Sequence, residues 1–300
     1  VTGAASSTYN PAALTTTTLF RRNAINTCNT VTSNSITKTV RADVTPGTIS
    51  GDETICYGAD AGVISSASSP SGGTGSFTYT WQQSTDGGSS WSTVSGATSS
   101  TYNPPALTTT TQYRRIENNS CETVVSNIAT KTVRPEVVAG TIGTSETVCY
   151  GGVPSEISNS SLPTGGDGTF TYQWQRSNDG GSTWTDIASE TGLTFTPGVL
   201  TQTYDYQRVA TNNCGSAPSN AVTITVLGAV TPGAIAADQS ICNNTAPALI
   251  TSLSLPTGGT GSYTYAWESS IDGGSTWSAV SGATGTTYNP GVLTNTTLYK

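Results

Sequence analysis

In the stretch Phe77-Thr78-Tyr79-Thr80-Trp81 aromatic residues alternate with threonines. A period of two puts Phe77, Tyr79 and Trp81 on one face of a strand and predicts that this face is buried. Phe170, Tyr172 and Trp174 repeat the pattern, as do Tyr263, Tyr265 and Trp267. Asp86-Gly87-Gly88 follows; its glycines accept positive φ, so the chain turns tightly and returns through Trp91 to Val94 as a hairpin. Around this hairpin, Thr48-Ile49 to Thr54-Ile55-Cys56 reads as a first strand and Val63-Ile64-Ser65 as a second. Pro70-Ser71-Gly72-Gly73-Thr74-Gly75 reads as a glycine-rich loop, Tyr113 as the entry to a late strand after a turn at Leu107, followed by Arg114-Arg115-Ile116, and Val124 to Val133 as the closing strand. No window places apolar residues at i, i+3, i+4 and i+7, so helix is expected to be nearly absent.

Trp81, Trp174 and Trp267 stand 93 residues apart, and the same step separates Trp91, Trp184 and Trp277, Cys28, Cys121 and Cys214, and Cys56, Cys149 and Cys242. A constant period marks a repeated domain. At this size each copy can bury its own core, which the much shorter units of solenoids cannot. The chain divides into the C-terminal part of a repeat (1–45), complete repeats at 46–138 and 139–231, and the N-terminal part of another (232–300). Because the outer pieces break off mid-repeat, we expect a window onto a longer array. Junctions near Pro46-Gly47, from Pro135 to Ala139, and at Val230-Thr231-Pro232 are short and contain proline, so restricted linkers are expected. Seven or so short strands with a buried tryptophan on the third predict an all-β chain of tandem immunoglobulin-like β-sandwich domains in an extended array. A fibronectin-like or polycystin-like strand order stays open. Tyr113, entering a late strand, is a candidate for the tyrosine corner of such sandwiches.

Thr, Ser, Gly and Asn dominate, with 34% hydrophobic and 10% charged residues and no His or Met. The net charge of −7 argues against nucleic acid and anionic membrane as partners, since both require a basic patch. No apolar run of about 18 residues occurs, so no direct membrane insertion is expected in this window. Six cysteines, two per repeat, without His or a Cys-x-x-Cys pair, fit disulfides and an oxidising compartment rather than zinc. The favoured pairing joins Cys56 to Cys121 and Cys149 to Cys214, 65 residues apart within each repeat, which leaves Cys28 and Cys242 to partners outside the window. A cross-junction scheme, Cys28 with Cys56 and Cys121 with Cys149, is disfavoured: it would fold a loop back by about 30 Å along the last strand, whereas a disulfide spans Cα separations of about 4.4 to 6.8 Å.

Ser84-x-Asp86-x-Gly88-x-x-Trp91, with its copies through Asp179 and Trp184 and through Asp272 and Trp277, resembles the Asp-box of sialidases. That resemblance implies a structural hairpin whose Asp ties down the turn and whose Trp packs beneath it, not a catalytic site. Calcium ligation by Asp86, Asp179 and Asp272 is the weaker reading, because one recurring carboxylate falls short of the usual oxygen count. Trp81, Trp174 and Trp267 are expected in the core rather than as sugar-stacking platforms. Arg22, Arg115 and Arg208 recur at one position, where a guanidinium stacks on an aromatic ring or pairs with a carboxylate. Catalysis requires one unique constellation of acid, base and nucleophile. Here the recurring polar residues recur in every copy, so neither an enzyme nor a cofactor is expected. Lys38 and Lys131 suggest isopeptide chemistry, but the matching residue of the next repeat is Ile224. Sequons at Asn118, Asn159, Asn243 and Asn295 do not keep the period.

Taken together, Ile-Cys near the repeat start, Pro-x-Gly-Gly-x-Gly, Tyr-x-Trp-x-x-Ser-x-Asp-Gly-Gly-x-x-Trp, Gly96-Ala97-Thr98, Tyr-x-Pro, Leu-Thr-x-Thr-Thr and Tyr-Arg-Arg resemble the tandem Ig-like repeats of large Bacteroidetes surface adhesins. The gliding-motility adhesins exported by type IX secretion are the best-known kind. The resemblance implies an extracellular structural or adhesive filament anchored to an outer membrane, whose partners are neighbouring repeats of its own chain and surface glycans or other cells. The competing expectation is a carbohydrate-binding array on a secreted hydrolase.

Overall fold

The computed structural model describes residues 1–236 and 238–300, and every regular element among them is a strand. The chain forms two compact units, Val1–Glu136 and Val137–Lys300, each holding one complete and one partial repeat. In the first unit β1 (Thr18–Phe20), β2 (Asn23–Ile25), β3 (Thr30–Thr32) and β4 (Ile36–Lys38) belong to the partial repeat. The complete one comprises β5 (Thr48–Ser50), β6 (Glu53–Ile55), β7 (Ser65–Ser68), β8 (Thr78–Ser84), β9 (Ser92–Thr93), β10 (Thr111–Asn118), β11 (Thr123–Val125) and β12 (Ala129–Val133). The second unit repeats these eight as β13 (Thr141–Ile142), β14 (Glu146–Val148), β15 (Asn159–Ser161), β16 (Thr171–Ser177), β17 (Thr185–Asp186), β18 (Tyr204–Asn212), β19 (Gly215–Pro218) and β20 (Val222–Val226). It ends with β21 (Ala234–Ile235), β22 (Ser252–Ser254), β23 (Glu268–Ser270), β24 (Ser278–Ala279) and β25 (Leu298–Tyr299).

Each complete repeat is a two-layer immunoglobulin-like sandwich. One sheet runs β6-β12-β10-β8-β9, with β11 also paired to β10, and β12 lies parallel to β6. The facing layer is the antiparallel pair β5-β7, continued by a bridge between Ile64 and Tyr102. β14-β20-β18-β16-β17 and β13-β15 repeat both layers. Trp81 lies mid-strand in β8 and is fully buried against Ile49, Ile64, Tyr113 and Ala129, with its ring 5.7 Å from that of Tyr102. Its indole N–H donates to the Ser99 carbonyl at 2.8 Å, so the one polar atom of the ring is satisfied. Trp174 and Trp267 are buried likewise and donate to Gly192 and Gly285.

Several local expectations change. The alternating face of β8 is graded, with Trp81 buried but Phe77 and Tyr79 only half-buried. The expected first strand is two strands in different sheets. It crosses over at Gly51, whose φ of +132° suits glycine and where a Cβ would stand 3.1 Å from the Ile64 Cα. The second strand begins at Ser65, and Ile64 makes only an isolated bridge. The closing strand is also broken, at Ser126-Asn127-Ile128, because side chains take over the backbone partners there. Asn127 accepts from the Ile49 N–H at 2.7 Å and donates to the Ile49 carbonyl at 2.9 Å, fastening one layer to the other. Asn220 does the same to Ile142. Tyr113 is buried at the expected place, but its hydroxyl meets no backbone acceptor, so the tyrosine-corner bond is absent among the described residues. In antibody domains that tyrosine stands two residues before the second cysteine of the inter-sheet disulfide. Here the residue two positions on is Arg115, and Arg208 follows Tyr206 in the same way.

Candidate functional site

Three features recur in register: a hairpin, a buried arginine and a glycine-rich loop. In the hairpin, Asp86 accepts from the Ser84 hydroxyl at 2.7 Å and from the Ser90 amide at 2.9 Å, and the Ser84 oxygen accepts from the Gly88 N–H at 2.9 Å. The Ser90 hydroxyl and amide, with that of Ser84, hold the Asp86 carboxyl well below the usual carboxylate range. The Ser177 and Thr183 hydroxyls bring Asp179 down to about 2, and Asp272 is lowered by Thr276 and Ser270. These carboxylates are committed to closing their own turns. Trp91 and Trp277 are half-buried beneath their hairpins and donate to Gly88 and Gly274, both at 3.1 Å; Trp184 is half-buried likewise. Arg114 covers the Trp91 ring at 4.2 Å and Lys300 that of Trp277 at 4.4 Å, so a cation occupies the face that a sugar would need.

The buried arginine occupies the middle of the sandwich. Arg115 is fully buried and stacks over Tyr79 with its guanidinium carbon 4.7 Å from the ring centroid; it donates to the Ser100 carbonyl at 2.6 Å and to the Ser66 hydroxyl at 3.0 Å. Glu117, also fully buried, takes the other edge of the fork, with Oε1 2.6 Å from Nη2. Arg208 repeats the stacking, over Tyr172 at 4.9 Å, and donates to the Leu193 carbonyl at 2.6 Å; burial pulls its pKa below the ordinary value. Sequence reasoning found the arginines but missed the serine and asparagine that frame them. Ser33, Ser126 and Ser219 accept from the backbone amides of Arg22, Arg115 and Arg208 at 2.9, 2.9 and 3.0 Å. The signal was present as a Ser-Asn pair at 33, 126 and 219 that keeps the 93-residue step.

The glycine-rich loop grips the incoming linker. In the first unit Thr45 pairs with Ser71, the Gly73 N–H donates to the Ala42 carbonyl at 2.8 Å, and a side chain at Gly72 would overlap the Asp43 carbonyl. In the second unit Thr231 pairs with Thr257, the Gly259 N–H donates to Gly228 at 2.8 Å, and a side chain at Gly258 would overlap the Ala229 carbonyl. Both glycines also have positive φ, so two independent requirements select glycine.

The cysteine pairing differs from expectation. Cys56 and Cys214 are disulfide-bonded, while Cys28, Cys121, Cys149 and Cys242 are exposed free thiols. Neither Cys56 with Cys121 nor Cys149 with Cys214 therefore forms. The sandwich explains why. Cys56 follows β6, which runs beside the end of β12, whereas Cys121 lies past the opposite end of β10, in the turn to β11. The eight residues of β10 put about 25 Å between the two ends of that sheet at the usual rise per residue, far beyond disulfide reach. In the second unit β14 and β18 separate Cys149 from Cys214 in the same way.

A family described as "Domain of unknown function (DUF8696)" matches residues 45–135, 138–228 and 231–300. The chain belongs to this family. No curated protein matches the chain. Solved structures similar to it include the three N-terminal domains of the Highly Immunogenic Outer Capsid protein (Hoc) of bacteriophage RB49, at 12% identity over 85% of this chain and 86% of that one, with a TM-score of 0.33. Domains A168–A170 of titin match at 16% identity over 70% and 75%, with a TM-score of 0.33. The four N-terminal Ig domains of Dscam1 isoform 1.9 match at 13% identity over 93% and 73%, with a TM-score of 0.26.

Proposed function

We propose that this chain is a structural and adhesive repeat region: a stretch of a long extracellular surface filament or adhesin stalk, repeating at 46–138 and 139–231. The observation that carries the reading is that every elaborated feature serves the repeat itself. The carboxylates of Asp86, Asp179 and Asp272 close their own hairpins, Arg115 and Arg208 fill the cores of the two complete repeats, whereas Arg22 of the partial repeat is exposed, and the loops at Gly72 and Gly258 hold the linker before them. Each would help the repeats bear load in series. The disulfide-bonded cysteines support an oxidising, extracellular setting; type IX export and outer-membrane anchoring rest on the resemblance to Bacteroidetes adhesins alone. Pulling single molecules of the chain, reduced so that no cystine shortens the extension, tests this. Each complete repeat should release roughly 30 nm of contour, from 93 residues at about 3.3 to 3.6 Å each, in separate events. Gradual extension at negligible force would overturn the reading. Saturable glycan binding lost on replacing the exposed Tyr57 and Tyr150 would favour the carbohydrate-binding array instead.

A further inference from the structure

Beside each Asp-Gly-Gly hairpin a row of register partners crosses the outer side of the sheet, and its chemistry changes from copy to copy. In the first complete repeat the row is Thr93, Gln82 and Arg114; in the last, partial repeat it is Ala279, Glu268 and Lys300. Both rows end in the cation that covers the hairpin tryptophan, and that cation also holds its neighbour: Arg114 Nε donates to Gln82 Oε1 at 2.8 Å, and Lys300 Nζ pairs with Glu268 at 3.0 Å. In the second complete repeat the row is Asp186, Gln175 and Gln207, so the cation is replaced by a neutral amide.

The Trp184 ring keeps its seat. A Cβ at Gly181 would stand 3.5 Å from its Cζ2, against 3.7 Å for Gly88 with Trp91 and for Gly274 with Trp277. No cation lies over the ring among the described residues. The Gln207 amide sits nearer the backbone than a guanidinium would and is turned aside: it donates to Gln175 Oε1 at 2.7 Å, and Gln175 Nε2 donates in turn to Asp186 Oδ1 at 2.7 Å. The two arginines of this repeat are on the other side of the sheet by strand alternation, Arg176 over Tyr204 at 5.1 Å and Arg208 over Tyr172 at 4.9 Å. The indole N–H differs as well. Those of Trp91 and Trp277 are spent on Gly88 and Gly274, whereas that of Trp184 has no partner among the described residues and is not buried.

We propose that Trp184, with Asp186, Gln175 and Gln207, is a surface site for a neutral hexopyranose unit of a glycan. A pyranose presents a C–H face that packs on an aromatic ring and a rim of hydroxyls that need hydrogen-bond partners. Asp186 is exposed on the same side of its strand as Trp184, and its second oxygen, like Gln207 Oε1, is an acceptor left free by the row among the described residues. The row also fixes these side chains before a ligand arrives, so little rotamer freedom is lost on binding. Asp186 and Asp205 share this face with no cation, which repels an anionic sugar. The site belongs to the second complete repeat alone; it goes beyond the filament reading, which the pulling experiment tests separately.

The test titrates the full chain with hexasaccharides of glucose, mannose, galactose and N-acetylglucosamine, and with hexagalacturonic acid as the anionic counterpart, while NMR follows the indole N–H signals of the six tryptophans. At least one neutral hexasaccharide should shift the Trp184 signal saturably and leave those of Trp91 and Trp277 in place; hexagalacturonic acid should shift none. Gln207→Arg puts over Trp184 the cation that Trp91 already carries, in a setting where the first repeat accommodates it. It should weaken binding about tenfold, the upper range for one lost aromatic contact, with the unfolding midpoint unchanged. Asp186→Ala should weaken binding likewise. Binding of no neutral hexasaccharide, equal binding of the anionic one, or an affinity unchanged in Gln207→Arg overturns the proposal.

Discussion

The two complete repeats carry the same hairpins and loops around interiors of different polarity. The first buries two cations: Arg115 beside the equally buried Glu117, and Lys131, 1% exposed, which reaches the 40% exposed Glu53 at 2.8 Å. In the second, Glu117 has become Ala210, Lys131 has become Ile224, Ala129 has become Val222, and Tyr102 has become Phe195. Ile224, Val222 and Phe195 join Trp174 in a larger apolar cluster than the one around Trp81. A buried ion pair gives back roughly what desolvation takes, so exchanging a whole pair for packed apolar side chains is often neutral or stabilising, while deleting one partner is not. The Lys131 to Ile224 change removes only the cation, but the carboxylate left behind, Glu146, is partly exposed and keeps the amide bond at Ser155 that its counterpart Glu53 makes at Gly62. The Glu117 to Ala210 change removes only the carboxylate, and the arginine left behind is fully buried.

The largest expected effect tests what the repeats share. Trp81→Ala and Trp174→Ala should each destabilise their unit by about 3 to 5 kcal/mol in urea unfolding, and a loss below about 1 kcal/mol in either would contradict the packing described. Glu117→Ala imposes on the first repeat the deficit of the second. It should cost about 3 kcal/mol, the lower end for a broken buried pair, because the peptide before Gly47 can turn its carbonyl onto Arg115 as the peptide before Gly140 does onto Arg208. Lys131→Ile converts the other pair toward the second repeat and should change stability by no more than about 1 kcal/mol, since Glu53 is partly exposed and can be solvated by water.

Smaller effects appear in the pH profile. Asp179 is depressed from 3.8 to about 2, so its contribution is complete above pH 3.8 and is lost as pH falls from there toward 2. Tyr206 is raised by burial from 10.0 to about 12, so its contribution is complete below pH 10 and is lost as pH rises from 10 to 12. Equilibrium unfolding across both windows should show a decline at each end; Ser177→Ala should shrink the acid one, and no change would remove the hairpin hydrogen bonds from the account.

The sequence made legible whatever depended on periodicity. The 93-residue step, the position of Trp81, Trp174 and Trp267, and the turn at Asp86-Gly87-Gly88 all follow from local pattern and turn chemistry. What it hid was long-range. The sheet change at Gly51 depends on Ile64 crowding the backbone, and the break at Asn127 depends on an amide reaching Ile49, a residue 78 positions away. The cysteine error came from placing Cys56 and Cys121 at the same end of the sandwich, when the parallel run of β6 with β12 sends them to opposite ends. Recurrence of the arginines was visible, but a partner kept in one copy and lost in the next is invisible until burial shows that it matters.

The most direct test of this account exchanges the two residues in one molecule: Glu117→Ala together with Ala210→Glu. Hydrogen exchange of the amides in β10 and β18 reads both repeats side by side. The account predicts that protection falls around Arg115 and rises around Arg208, with the Gly140 peptide turning its N–H toward the new carboxylate as that of Gly47 does toward Glu117. Protection that falls in both repeats, or is unchanged in both, would contradict the claim that the carboxylate beside the buried arginine sets the difference between them.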